Sequence, residues 1–280
     1  MLKNTLKKCL CAALAAVSAV ACAATFTACE TNKPEAEVQL SFNGKTYTLA
    51  YQMNRKITPQ TVSHFIALAD NGYYNGLCVH DYSTTALYTG AYTYTNDSLV
   101  AKDYFNTVKS YIPQTVWLDE AKKLPTYTVY GEFEGNNFSV TNGALKESFG
   151  SLVMYYTDKE GDDEVYVSRS DGKGVTPREY EANSATSQFY ISLSSGSSKN
   201  KDYCVFATLD ADSVSVLKSL QTAIADYIED NYGEETDSFI TETDVTVNED
   251  DPVVGGRGEP ATYATPNEPI IVKSVKITKY

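Results

Sequence analysis

The stretch TPQTVSHFIALADNGYYNGLCVHDYSTTALYTG, Thr58–Gly90, decides the fold. Thr58 is a suitable helix N-cap, and Pro59 stands at the first helical position, where a missing N–H costs nothing. Val62, Phe65, Ile66 and Ala69 recur at i, i+3, i+4 and i+7, so they form one buried stripe. Gly72 supplies the left-handed stop. The spacing predicts a short amphipathic helix from Pro59, with His64 off the stripe and half-exposed. Leu77–Val79 and Ala86–Thr89 then read as strands. His80 and Asp81 are adjacent, and neighbouring residues in a strand point to opposite faces. Asp81 therefore cannot orient His80 as the acid of a Ser–His–acid triad.

Working outward, Val38–Met53 alternates around Asn43-Gly44-Lys45 and reads as a hairpin. Tyr92–Leu124 mixes helical and strand character around Pro113 and reads as an inserted excursion. Tyr127–Phe138, Gly150–Tyr156, Ser187–Ser194, Asp202–Leu209 and Pro269–Thr278 contain further strands. Asp158–Ala182 is polar, a long loop or a small hairpin. Asp212–Tyr232 is a second amphipathic helix, stopped by Gly233. Glu234–Glu268 is acidic and is expected to be a surface loop. Many short strands with two well-separated helices predict a mainly β fold, an antiparallel barrel with helices capping its ends.

Among the 280 residues are 22 tyrosines and 10 phenylalanines, which lean the composition towards strands. The formal net charge of −13 argues against nucleic acid as a partner. Two histidines without clustered cysteines do not make a structural zinc site, so no metal is expected. The GGRG of Gly255–Gly258 is not followed by a helical pattern, which argues against a phosphate cradle. No cofactor is implied. At the start of the chain, Lys3, Lys7 and Lys8 precede an uncharged run, Cys9–Ala24, and then Phe26-Thr27-Ala28-Cys29. That order is a secretory signal, and its end is similar to a lipoprotein signal box. The expectation is a signal peptide over 1–28, a lipidated Cys29 with a tether to residue 37, and one domain over 38–280. The chain would then be exported and held by lipid on the extracytoplasmic face of a bacterial membrane. Cys78 and Cys204 remain as thiols, and two cysteines do not make a disulfide framework, so their pairing stays open.

The chain resembles the cyclophilin family of peptidyl-prolyl cis-trans isomerases. The resemblance rests on TPQTVSHFIALADNGYYNGLCVH, YTVYGEF, GSLVMYY, NSATSQFYISLS, YCVFATLDADSVSVLKSL and EPIIVKSVKI, which occur in family order. It implies a closed eight-stranded antiparallel barrel capped by two α-helices, with insertions at about 92–126, 158–182 and 234–268. It implies proline-containing polypeptide segments as partners. The family pocket falls on His80, Met154, Gln188, Tyr190 and Tyr203. The family's catalytic arginine, which points at the imide nitrogen, falls on Asp81, and its next two pocket positions fall on Ala86 and Thr89. A carboxylate cannot donate to that nitrogen, so catalysis is expected to be weak or lost unless Arg169 or Arg178 reaches the pocket. The alternatives are a non-catalytic module for extended or proline-containing segments, and a surface adhesin or glycan binder using the tyrosines.

Overall fold

The computed structural model describes residues 31–136, 138, 144–156, 164–169, 173–179, 184–194, 203–233, 236–246 and 260–280. The expected signal segment and Cys29 lie outside the described residues. Following the chain, β1 (Glu35–Phe42) and β2 (Lys45–Met53) lead into α1 (Pro59–Asp70). Then come β3 (Leu77–Cys78), β4 (Asp81–Tyr82), β5 (Ala86–Thr89), β6 (Tyr92–Thr95), β7 (Ser98–Ala101), α2 (Tyr104–Val108) and β8 (Val116–Trp117). The middle of the chain holds β9 (Val129–Tyr130), β10 (Leu152–Met154), β11 (Glu164–Ser168), β12 (Val175–Glu179), β13 (Ser184–Ala185) and β14 (Phe189–Ser192). The last part holds β15 (Val205–Leu209), α3 (Ser213–Tyr232), α4 (Thr236–Phe239), β16 (Ile240–Thr246), β17 (Pro260–Pro266) and β18 (Ile271–Lys279).

The β1–β2 hairpin turns on Asn43 and Gly44 at φ 44° and 73°. Two successive positive φ values match the right-handed twist of the flanking strands, and an Asn-Gly pair adopts them at little cost. From this hairpin a nine-stranded antiparallel sheet spreads in the order β3-β18-β1-β2-β15-β10-β14-β5-β4. The expected closed eight-stranded barrel is thus corrected to an open order of nine. The extra strand arises because one extended segment divides its pairing. Cys78 pairs with Ile271 of β18, whereas Asp81 pairs with Tyr88 of β5. Between them Val79 N donates to Ile270 O at 2.8 Å and His80 N donates to Tyr88 O at 3.0 Å. The switch of partner falls at His80, and this places the site.

The core fills from alternate strand positions, including Val38, Leu40, Phe42, Leu49, Tyr51 and Met53, and from one stripe of each long helix. Helix α1 contributes Val62, Phe65, Ile66 and Ala69, as its spacing predicts, and α3 contributes Leu217, Leu220, Ile224 and Ile228. The Phe65 ring meets Phe206 at 5.0 Å and Tyr74 at 5.1 Å. Gly233 closes α3 at φ 64°.

Three local expectations are corrected. Thr58 occupies the N-cap position of α1, but its hydroxyl donates to Asn54 O at 3.3 Å instead of capping. The capping acceptor comes from elsewhere in the chain: Glu132 accepts from Gln60 N at 3.0 Å and from Thr61 N at 2.8 Å. His64 is buried, not half-exposed. Its Nε2–H donates to Thr186 O at 2.7 Å, and the Tyr104 hydroxyl of α2 lies 3.2 Å from the same nitrogen. The 92–126 excursion folds back over α1, which covers the face expected to meet water. Glu234–Glu268 is not simply a loop, because β16 and β17 pair from Ile240↔Pro266 to Thr246↔Pro260. Its acidic residues alternate with threonine, so the sequence shows no apolar period.

Candidate functional site

Register builds the outer face of the sheet. Asp81 stands opposite Tyr88, Tyr88 opposite Tyr190, Tyr190 opposite Val153, and Val153 opposite Val205. Cross-strand partners share a face, so these five residues form one row over four strand junctions. Ala86, Val153, Tyr190 and Val205 pack as an apolar cluster separate from the main core, with Tyr88 and Leu145 against it. The Tyr88 ring meets Tyr190 at 5.0 Å and Tyr155 edge-on at 5.6 Å. Tyr155 and Tyr203 are 40% and 45% exposed. The Tyr190 hydroxyl donates to Glu147 Oε1 at 3.4 Å. Burial, and then the negative charge of Glu147, hold that hydroxyl well above the usual phenol range. Tyr88 is raised too, by burial first and then by Asp81.

His80 is buried between the rings of Tyr263, 4.8 Å away, and Tyr92, 4.9 Å away. Burial pushes its imidazole down to about 3, against the opposing pull of hydrogen bonding to the Gln188 side chain and the Cys78 backbone. It is therefore neutral at ordinary pH. Gly90 holds φ 104°, and a Cβ there would sit 2.3 Å from Ser187 O. Only glycine allows β5 to leave the sheet this close to the backbone that carries Gln188.

Asp81 does not join His80 in a catalytic pair. Its Oδ1 accepts from Ala264 N, on β17, at 3.1 Å. One residue on, the Thr265 hydroxyl donates to His80 O at 3.1 Å. Burial raises the Asp81 carboxyl above its ordinary value, and the Ala264 amide partly opposes that rise. The acid is an anchor for the inserted β16–β17 hairpin.

The five pocket positions read from the sequence thus separate into three places. Tyr190 and Tyr203 belong to the outer face, whereas His80 and Gln188 are brought together by a hydrogen bond between their side chains. Met154 stands opposite Phe189 and is buried in the main core. Cys78 and Cys204 are free buried thiols. Cys78 donates to Tyr92 O at 3.3 Å, and burial pushes it up to about 12. Cys204 lies 3.4 Å from the Thr61 hydroxyl. Arg178 stands opposite Val165 in the separate three-stranded sheet β12-β11-β8. Among the described residues, the carboxylates Asp81 and Glu147 act on Tyr88, and Glu147 acts on Tyr190. Sequence reasoning missed Tyr88, Glu147 and Ala264. The alternation of Ala86-Leu87-Tyr88 carries the signal for Tyr88, since it shares the face of Ala86, but nothing local marks Ala264. Among the described residues, no three His, Cys, Asp or Glu side chains gather as metal ligands.

The model of the family described as cyclophilin type peptidyl-prolyl cis-trans isomerase/CLD matches residues 38–245, well over half of the chain. No curated protein matches. Among solved structures, a cyclophilin-type peptidyl-prolyl cis-trans isomerase of Cryptosporidium parvum is 15% identical, with a TM-score of 0.44 over 89% of this chain and 99% of that one. The same protein in the presence of the dipeptide Ala-Pro gives 16% identity and a TM-score of 0.43, over 88% of this chain and 99% of that one.

Proposed function

The chain belongs to the cyclophilin-type peptidyl-prolyl cis-trans isomerase family, and from that premise we propose that it binds proline-containing polypeptide segments on the tyrosine-lined outer face while accelerating their isomerisation weakly or not at all. Rotation about an X–Pro bond makes and breaks no covalent bond. Its barrier of about 18–20 kcal/mol falls only if the twisted state is bound better than the planar ones. The family resemblance implies an arginine that donates to the pyramidal imide nitrogen of that twisted state. Here the position holds Asp81, an acceptor of the wrong charge, and Asp81 Oδ1 is already engaged with Ala264 N at 3.1 Å. That engagement is the observation that carries the proposal. A donor supplying a few kcal/mol of electrostatic stabilisation is worth several powers of ten, at about 1.4 kcal/mol per tenfold.

The remaining face still suits binding. Ala86, Val153 and Val205 are buried as an apolar base under the tyrosines, and the exposed rings of Tyr155 and Tyr203 are what the face offers a proline ring. NMR titration of the full-length chain with a short Ala-Pro peptide tests the proposal. Shifts at the Tyr88 and Tyr190 rings are expected, without broadening of the cis and trans peptide signals by faster exchange. Absence of shifts at those rings would overturn the binding half, and exchange broadening would overturn the catalytic half.

Export and acylation of Cys29 complete the proposal, with lipid holding the acidic body at the extracytoplasmic face. Each buried CH₂ of a lipid chain contributes about 0.8 kcal/mol, so a multiply acylated cysteine anchors firmly. Incorporation of labelled palmitate, abolished in Cys29→Ala, is the expected result. Equal labelling of the variant would overturn it.

A further inference from the structure

Resting on the reading that proline-containing segments bind the outer face, we propose that the β16–β17 hairpin is a strap that shuts part of that face with the chain's own Tyr263, and that a bound segment reaches His80 and Gln188 when the strap swings away. Strap and sheet meet through one short run of residues. The Tyr263 ring stands edge-on 4.8 Å from the imidazole of His80 and 5.4 Å from the ring of Tyr92, which itself lies 4.9 Å from His80. Ala264 N donates to Asp81 Oδ1 at 3.1 Å, and the Thr265 hydroxyl donates to His80 O at 3.1 Å. Three successive residues of β17 thus close over two successive residues of the sheet. Burial, then Tyr92, Tyr155 and Asp81, hold the Tyr263 hydroxyl well above the usual phenol range. Tyr155 and Asp81 belong to the outer face, so this ring stands where that face meets His80.

The strap is held lightly where it covers His80 and firmly at its foot. Among the described residues, β16 and β17 form a two-stranded sheet of their own, so no ladder joins them to the nine strands. The foot is different. Phe239, just before β16, is buried against Phe42, Tyr82 and Tyr227 at 6.4, 5.3 and 6.2 Å. Asn267, just after β17, donates its N–H to Phe239 O at 2.8 Å. A lightly held hairpin on a packed foot opens about that foot without unfolding the core. What it uncovers is polar: His80, with the half-buried Gln188 hydrogen-bonded to its side chain. A docked segment must find partners for its own N–H and C=O groups, and an imidazole and a carboxamide offer donors and acceptors for them.

The test uses the full-length chain, whose 2 histidines serve as probe and reference. Both are buried and neutral at ordinary pH, and His80 is the one that lies against the strap. Diethyl pyrocarbonate acylates a neutral imidazole that solvent reaches, and mass spectrometry of the digested chain reads the two sites separately. Thr265→Val, which keeps the side-chain volume and every ring, is expected to speed modification of His80 about fivefold, and Tyr263→Ala about tenfold, with His64 unchanged in both. An unchanged rate at His80, or an equal acceleration at His64, would overturn the strap. Titration with the Ala-Pro peptide reads the competition. Tyr263→Ala should bind it about fivefold more tightly than the parent chain, because the strap no longer takes its place. Equal affinity would overturn the competition and leave the reading of the outer face standing. Absence of binding to parent and variant alike would overturn that reading, and the role of the strap with it.

Discussion

Two carboxylates, Glu132 and Asp81, each hold an element by accepting backbone N–H groups, and their surroundings give them different tasks. Glu132 is buried at the N-terminus of α1 and takes two amides, Gln60 N and Thr61 N. Asp81 is partly exposed at the edge strand β4 and takes one, from Ala264 of the inserted hairpin. The first fastens a helix of the core. The second fastens a peripheral hairpin beside a face that meets solvent. In a buried place a carboxylate serves the fold, because removing it strands donors that water cannot reach. At an edge, the same chemistry leaves the fold intact and changes what the neighbouring face can do.

Substituting the buried partner is the severest break in this contrast. Glu132→Ala leaves two buried helix N–H groups without their acceptor and is expected to cost about 2–4 kcal/mol. Urea unfolding measures it, and a loss below about 1 kcal/mol would mean that water reaches this terminus.

Acid and base sharpen the same contrast. Burial holds Glu132 up at about 7 from 4.5, and holds His64 and His80 down at about 4 and about 3 from 6.5. The raised acid keeps a proton that the unfolded chain has released, so its contribution falls as pH rises from about 4.5 to about 7. The depressed histidines refuse protons that the unfolded chain accepts, so their contribution is lost as pH falls below about 6.5. Between about 4.5 and 6.5 the two histidines outweigh the one carboxyl by a net proton, so these groups make stability rise by about 1.4 kcal/mol per pH unit. A maximum near pH 6.5 is expected in a series of urea midpoints. His80→Asn should flatten the acid side, and an unchanged slope in that variant would contradict the account.

At the edge, Asp81→Ala is expected to cost only about 1 kcal/mol of global stability, while amide exchange at Ala264 and along β17 quickens. Protection of Ala264 equal to that of the parent chain would show that the hairpin does not depend on Asp81. Smallest of all, Tyr203→Ala should shift unfolding by less than about 0.5 kcal/mol, because the ring is 45% exposed.

How much the sequence revealed follows from the range of each interaction. The β1–β2 turn, the stripe of α1 and the glycine stop of α3 are local, and all three are legible in a few residues. Pairing between distant segments is not. The nine-stranded order depends on one segment changing partners at His80, which no period in LCVHDY encodes. His64 looks surface-exposed on its own helix and is buried only because Tyr104 and Thr186 come from elsewhere. Thr58 looks like a cap and is not one, because Glu132, remote in sequence, takes the amides first. In the site, the expectation that Asp81 falls at the family's arginine position comes from the resemblance alone. The engagement of Asp81 by Ala264 is not legible there, since a backbone N–H leaves no mark in a sequence.

A protease-coupled assay of the full-length chain on an Ala-Pro peptide tests the central claim most directly. The account predicts a cis-to-trans rate at or close to that of buffer, even at high protein concentration, with no recovery in Asp81→Arg because the resemblance puts two more altered pocket positions at Ala86 and Thr89. A rate that climbs in proportion to the unaltered protein would contradict it and show that a donor from another position reaches the imide nitrogen.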